Sequence, residues 1–297
     1  MSLALRHVRA DALGPYVGQL QALERDISYP IADGADRFVI SHGGAYHPFF
    51  SRLGEAHFLL ALDGDAVVGC LAGVRKEIHT PRGPLPAAYL GDLKVRRDWR
   101  GRGVPARLYA KALALSLLDW RALHWRFAFG AAMRGARGDV MRTAKGLHLM
   151  RLGRPFARLE VFFVEPRRLA LLDPTGAPPP PRAPGLDLSP LADVDVLSTA
   201  GAKDFVLQST RQPWKLVHLP RGPSGWGASH AAYVARAGAR LEPEALACFA
   251  LDERLVAERE FLRARGVTSG AVATVYALST SRKAFGAPWV HLATSEI

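Results

Sequence analysis

Between Tyr89 and Leu108 the chain reads Tyr89-Leu90-Gly91-Asp92-Leu93-Lys94-Val95-Arg96-Arg97-Asp98-Trp99-Arg100-Gly101-Arg102-Gly103-Val104-Pro105-Ala106-Arg107-Leu108. It is an apolar strand, a short basic turn with two glycines, and the start of a helix. The first N–H groups of a helix have no partner within it, and its dipole places positive charge there, so the turn favours an anion such as phosphate. Gly101 and Gly103 let the backbone approach closely and adopt positive φ. Arg100 and Arg102 add charge-assisted hydrogen bonds. Pro105 suits the first helical position but offers no N–H.

Outward from this turn the charge is lopsided. The chain has 297 residues, 39 basic and 27 acidic, for a net charge of +12. Between Asp92 and Arg158 stand 16 basic and four acidic residues, so the whole excess lies there. Such a segment implies a phosphate-bearing partner, either a nucleotide cofactor or nucleic acid. Apolar residues make up 49% of the chain, which excludes global disorder. Cys70 and Cys248 are too few for a disulfide framework or a cysteine-rich zinc site. The histidines show no metal-ligand spacing, so no metal is expected. No signal peptide opens the sequence, and no apolar run reaches the roughly 18–20 residues of a membrane span. A soluble, cytoplasmic protein is expected, with no membrane partner.

The coarse pattern is α/β. Leu3–Val8 reads as a strand and Asp11–Glu24 as a helix with Asp11 as N-cap. Residues 30–54 read as short helices or a loop. Two apolar runs around Asp63-Gly64-Asp65 make a hairpin, whose second strand reaches Ile78. Arg82–Pro86 reads as a loop, Ala87–Val95 as a buried strand, and Pro105–Leu118 as an apolar helix. Trp125–Phe129 reads as a strand, 136–146 as helical and Leu159–Val164 as a strand. The stretch Asp173–Pro184 is proline-rich and reads as a linker. Residues 1–172 then form one domain, 173–185 the linker and 186–297 a second domain. In the second domain strands are expected near Ala231–Ala235, Leu246–Leu251 and Ala271–Leu278, with a charged helix over Glu253–Arg265.

Leu93-Lys94-Val95 followed by Arg100-Gly101-Arg102-Gly103-Val104 resembles the cofactor motif of the GCN5-related N-acetyltransferase (GNAT) superfamily, and the order of elements over residues 1–166 is similar to that family's. The resemblance implies a mixed-sheet GNAT fold. It also implies an acyl-CoA donor, acetyl-CoA or another, and transfer of the acyl group to a small-molecule or peptide amine by direct attack. By the same resemblance the main chain of Leu93, Lys94 and Val95 meets the pantetheine arm. Arg100, Gly101, Arg102, Gly103, Val104 and Ala106 then meet the pyrophosphate. The family's frequent tyrosine acid has no counterpart, since no Tyr lies between Tyr109 and Tyr233.

An ammonium must lose its proton before its nitrogen can attack a thioester. Polyamine-acetylating relatives carry Glu-Asp where this chain has Gly91-Asp92, which makes Asp92 the first candidate base, followed by Glu77 and His79. Asp92 reads equally well as a carboxylate fixed to a nearby arginine. Cys70 reads as a core thiol and Trp99 as packing for the turn. The second domain looks like a shortened echo of the first. Leu246–Leu251 stands for the splayed strand, and Asp252-Glu253 for the missing glycine turn. That makes it a degenerate GNAT-like repeat, with an unrelated α/β cap as the alternative. A protein that holds acyl-CoA or RNA without chemistry is the alternative to an enzyme; nucleic acid is the lesser expectation, because Arg-Gly repeats that bind RNA lie in disordered chain.

Overall fold

The hairpin at Asp63–Asp65 shows why this sheet is buried on both faces. In the computed structural model its strands are β4 (Glu55–Asp63) and β5 (Ala66–Thr80). Phe58, Leu60, Leu62, Cys70, Ala72 and Val74 enter one core, while Leu59, Ala61, Val68 and Leu71 enter another on the opposite face. A strand covered on both sides reads as a continuous apolar run rather than an alternation. The structure describes residues 3–31, 36–118, 125–135, 138–139, 154–190, 196–220, 229–280 and 286–297.

The first strands are β1 (Leu3–Arg9), β2 (Tyr29–Ile31) and β3 (Asp36–Ser41); α1 (Val17–Arg25) and α2 (Pro48–Leu53) flank them. After the hairpin come β6 (Gly83–Val95), α3 (Val104–Leu118), β7 (Phe127–Gly135), β8 (Gly138–Asp139), β9 (Arg154–Val164) and α4 (Pro166–Ala170). Then follow β10 (Leu186–Asp187), β11 (Leu197–Ser198), β12 (Asp204–Leu207), β13 (Pro213–Trp214) and β14 (Leu216–His218). The chain ends through α5 (His230–Gly238), β15 (Leu246–Asp252), α6 (Val256–Ala264), β16 (Ala271–Ser279) and β17 (Val290–His291).

One large mixed sheet runs β1-β4-β5-β6-β7-β16-β9-β15-β14-β11, and a smaller one runs β13-β12-β3-β2. Helix α3 lies on one face of the large sheet, where Val104, Leu108 and Ala112 pack with Leu59, Leu71 and Val95. The opposite face is covered by α1 and α2 through Leu20, Leu23, Phe49 and Phe50.

Strand β16 comes from late in the chain yet lies between β7 and β9. Thr274 pairs with Ala132 on one side and Arg158 on the other. Sheet hydrogen bonds therefore run without a break from the first half of the sequence into the second.

Several sequence expectations change. The first helix is interrupted: two 3₁₀ turns, Ala10–Ala12 and Gly14–Tyr16, precede α1, and no side chain caps it. Pro15 has no N–H for a ladder bond, which breaks the helical course there. Residues 30–54 contain two strands besides a helix. The expected loop at Arg82–Pro86 belongs mostly to β6, since prolines sit where strand pairing with β5 still holds. Ala231–Ala235 is helical, within α5, because Ser229 caps it by accepting from the Ala232 amide at 3.2 Å. Leu246–Leu251 forms β15, but that strand is fully paired: β9 flanks it along its length and β14 on its other side. Of the helix expected at 136–146, Gly138–Asp139 is strand and the rest lies outside the described residues.

Candidate functional site

The glycine turn forms as its composition requires. Arg97–Trp99 make a 3₁₀ turn, and Gly101 and Gly103 follow at φ 80° and 75°. Both values lie in the left-handed region that favours glycine. Trp99 is buried beneath the turn, and the Arg102 guanidinium lies 5.0 Å from its ring centroid. Trp99 thus packs the loop. Arg96 is held by Asp98 through two bonds of 2.7 and 2.9 Å, while Arg100 Nε donates to the Val95 carbonyl at 3.3 Å. Arg100 and Arg102 are exposed. The amides of Gly103, Val104 and Ala106 have no backbone acceptor among the described residues. The turn is therefore a set of unfilled donors beside two exposed guanidinium groups, which suits a phosphate.

The strand leading into the turn is split from its neighbour. β6 and β7 pair in parallel at Ala87 with Phe127, Ala88 with Ala128 and Tyr89 with Phe129, and no further pair joins them among the described residues. From Leu90 to Val95 the β6 edge faces away from pairing, as does the stretch from Gly130 on β7. A bulge in β6 accompanies the split: Cys70 opposes Lys94 and Ala72 opposes Gly91, so β6 carries one extra residue. That residue region includes Asp92, at φ 55°. A bulge bends its strand and re-aims side chains. The Asp92 and Lys94 side chains, two positions apart in this stretch, are in contact.

A buried charged cluster results. Lys94 donates to Glu24 Oε1 at 3.1 Å and contacts Asp92 Oδ1. Tyr46 donates to Asp92 Oδ2 at 2.5 Å, and His42 pairs with Glu24 through Nδ1. Burial opposes the Asp92 charge, but the Lys94 ammonium, His42 and Tyr46 outweigh it and hold its pKa below the usual carboxylate range. Burial likewise opposes the Lys94 charge, and Asp92 and Glu24 outweigh it, so the ammonium is held charged. Glu24, His42 and Asp92 bring one potential ligand atom each within 4.8 Å of one another. Lys94 supplies the positive charge at that point. Burial pushes the Cys70 thiol up to about 12, the behaviour of a core thiol.

The second half of the chain reaches the same face. Lys76 pairs with the fully buried Glu296 at 2.7 and 2.9 Å. Lys203 donates to the carbonyls of Ser295 at 2.8 Å and Ile297 at 3.0 Å. Its ammonium also lies 4.8 Å from the Phe49 ring.

The sequence-derived residues therefore divide. Leu93, Lys94, Val95 and the turn residues Arg100–Ala106 form one continuous lip of the split, with the Lys94 side chain turned away into the cluster. Asp92 lies in the cluster beside the split. Glu77 and His79 lie elsewhere. They pair with Pro86 and Pro84, three and five strand positions past Tyr89, where the split closes, and both are exposed with 3.4 Å between His79 Nε2 and Glu77 Oε1. At about 3.3 Å per residue that is about 10 Å or more along the strand.

Glu24, His42, Tyr46, Lys76, Lys203 and Glu296 escaped the sequence reading. One signal was available. Only seven of the 39 basic residues are lysine, and Lys76, Lys94 and Lys203 carry nearly enclosed ammonium groups. A compact ammonium fits an enclosed site that a guanidinium fork does not.

Comparison with known proteins adds the following. No protein-family model and no curated protein matches the chain. Among solved structures it is similar to a putative acetyltransferase from Pyrococcus horikoshii, with TM-score 0.49 and 11% identity over 99% of this chain and 95% of that one. It is similar to a GCN5-related N-acetyltransferase from Kribbella flavida, with TM-score 0.46 and 15% identity over 93% and 70%. A third, from Enterococcus faecalis V583 and described as a probable N-acyltransferase, gives TM-score 0.45 and 8% identity over 94% and 73%. No helix among the described residues is long and apolar enough to cross a membrane.

Proposed function

We propose that the protein is an acyl-CoA-dependent N-acyltransferase, with acetyl-CoA as the first donor to test and an amine as acceptor. The observation that supports this best is the split between β6 and β7, leading directly from a turn of unfilled amides and exposed arginines. A diphosphate fits the turn, and an extended arm with amide groups fits the unpaired edge of Leu90–Val95, because a strand edge without a partner offers its N–H and C=O groups. Gly130, Ala131 and Ala132 on the β7 side leave room between the strands.

In this reading the amide N–H groups of Gly103, Val104 and Ala106, with Arg100 and Arg102, hold the pyrophosphate. The main chain of Leu93, Lys94 and Val95 aligns the arm. A β6 backbone N–H in this stretch stabilises the oxyanion when the amine nitrogen attacks the thioester carbon; the C–S bond then breaks and CoA leaves as a thiolate that takes a proton from solvent. Asp92 is the proposed acceptor of the amine proton, since it stands beside the split. Glu77 and His79 serve less well, being far from it along the strand.

A second reading, in which acyl-CoA or RNA is held without chemistry, draws on the engagement of Asp92 by Lys94 and Tyr46. A base already ion-paired is a weak base. Release of free thiol from acetyl-CoA in the presence of an amine panel separates the two. The proposal expects release that depends on the amine. Binding of acetyl-CoA without release across the panel supports the second reading. A mass spectrum of the natively purified protein adds the identity of any retained acyl-CoA.

A further inference from the structure

The split between β6 and β7 has a closed inner end, and two aromatic rings stand there. Tyr89 and Phe129 form the last pair between the strands. Their ring centroids are 5.6 Å apart with an interplanar angle of 51°. Tyr89 reaches forward from this pair over Gly91. A Cβ at Gly91 would lie 2.4 Å from the Tyr89 hydroxyl oxygen and 2.7 Å from its Cζ. The space above the first open positions of β6 is therefore filled by the Tyr89 ring, and it is free for that ring only because residue 91 has no side chain.

The ring has little room to move aside. Its strand is paired on both edges at this point, with Val74 of β5 and Phe129 of β7. Phe129 is itself backed by Phe127, at 5.9 Å between centroids. Tyr89 is only 5% exposed. Burial, and after it the Glu296 and Asp92 charges, raise its pKa and keep it a neutral donor.

We propose that Tyr89, backed by Phe129, is the gate that limits the donor to short acyl groups such as acetyl and propionyl. The inference rests on the acyl-CoA reading above. An arm that enters at the turn and follows β6 from Val95 toward Leu90 delivers its acyl end to Gly91, against the Tyr89 ring. Each further methylene then presses on a packed ring, and overpacking of this kind is costly.

The test is calorimetric binding of CoA, acetyl-CoA, propionyl-CoA, butyryl-CoA and hexanoyl-CoA to the full chain. Acetyl-CoA and propionyl-CoA are expected to bind with similar affinity, and hexanoyl-CoA at least about tenfold more weakly, in line with what a methylene or two is worth in a filled pocket. Tyr89→Ala should remove the hexanoyl penalty and leave CoA affinity within about twofold. Tyr89→Phe, which keeps the ring, should retain the penalty. If Tyr89→Ala does not fold, Tyr89→Leu takes its place with a penalty reduced at least threefold. Equal affinity of the unaltered protein for acetyl-CoA and hexanoyl-CoA overturns the gate, as does an undiminished penalty in the folded alanine or leucine variant. Failure of plain CoA to bind the unaltered protein is a different result: it overturns the acyl-CoA reading, and the gate with it.

Discussion

Asp92 has φ 55°, and Asp is one of the few residues that tolerates this region at modest cost. Its carboxylate holds Lys94 and receives the Tyr46 hydroxyl. Asp92→Asn keeps the shape but leaves the buried ammonium with Glu24 as its one carboxylate. The expected result is a stability loss of about 3 kcal/mol, since removing one partner of a buried pair is costly. Chemical denaturation measures it, and turnover of the folded variant should fall as well, since the amide cannot accept the amine proton; unaltered turnover would show that Asp92 is structural only. The sign with pH follows from the lowered pKa. The stability Asp92 lends is present above the ordinary carboxylate range and is lost as pH falls through its folded value. The variant should therefore lose less stability on acidification than the unaltered protein. Gly103 is the second residue to change. Nothing lies within 4 Å of where its Cβ would be, but its φ of 75° strains any other residue. Gly103→Ala should cost about 1 kcal/mol in stability and spare most acyl-CoA binding. Gly103→Glu should abolish binding, because a carboxylate then faces the phosphates; unchanged calorimetric affinity would place the ligand elsewhere.

At the scale of elements, the split is built by pairing that stops. β6 gains a residue at its bulge and loses its partner after Tyr89, while β7 continues to Gly135, supported on its far side by β16. One lip of the proposed cofactor cleft thus depends on a strand from late in the chain that touches neither the turn nor the cluster. Thr274 sits in the middle of that strand. Thr274→Pro removes its N–H and leaves one ladder carbonyl unsatisfied, at on the order of 1–3 kcal/mol. The expected outcome is a lowered melting temperature together with weakened acyl-CoA binding. Normal binding in a destabilised variant would show that the β7 lip does not need β16.

Across the whole molecule, charge and burial are shared unequally. The basic excess lies between Asp92 and Arg158, and no glycine stands between β15 and α6. Just before α6, the buried Asp252 accepts from the Arg254 amide at 2.9 Å and the Val290 amide at 2.8 Å, and a carboxylate there repels a phosphate. One acyl-CoA per chain is expected, and two equivalents at saturation would contradict it. Lys203 links the halves. Burial lowers its pKa to about 8. In the unfolded chain a lysine titrates near about 10.4, so between these values the unfolded state binds more protons and stability rises with pH. Lys203's contribution is full above its unfolded value and is lost as pH falls through about 8. Lys203→Met should therefore flatten the stability difference between pH about 8 and 10 relative to the unaltered chain, measured by denaturant midpoints.

The glycine turn, its arginines, the hairpin and the helix after the turn were legible from the sequence because each is local. A strand, two glycines and a helix start within twenty residues specify their own geometry, and a phosphate-seeking turn needs no distant partner. Leu246–Leu251 and Ala271–Leu278 were legible as strands for the same reason, through β-branched and apolar runs. Their neighbours were not, because pairing is decided by what else the sheet has available: β9 lies between them, and β16 closes against β7. Ala231–Ala235 read as a strand because Ala and Val fit either period, and the Ser229 cap with burial against β15 settled it as a helix. The cluster of Glu24, His42, Tyr46, Asp92 and Lys94 came from three separate segments: α1, the stretch between β3 and α2, and β6. No spacing along the chain encodes that meeting, since it exists only once the strands are paired and the charges have been taken out of water together.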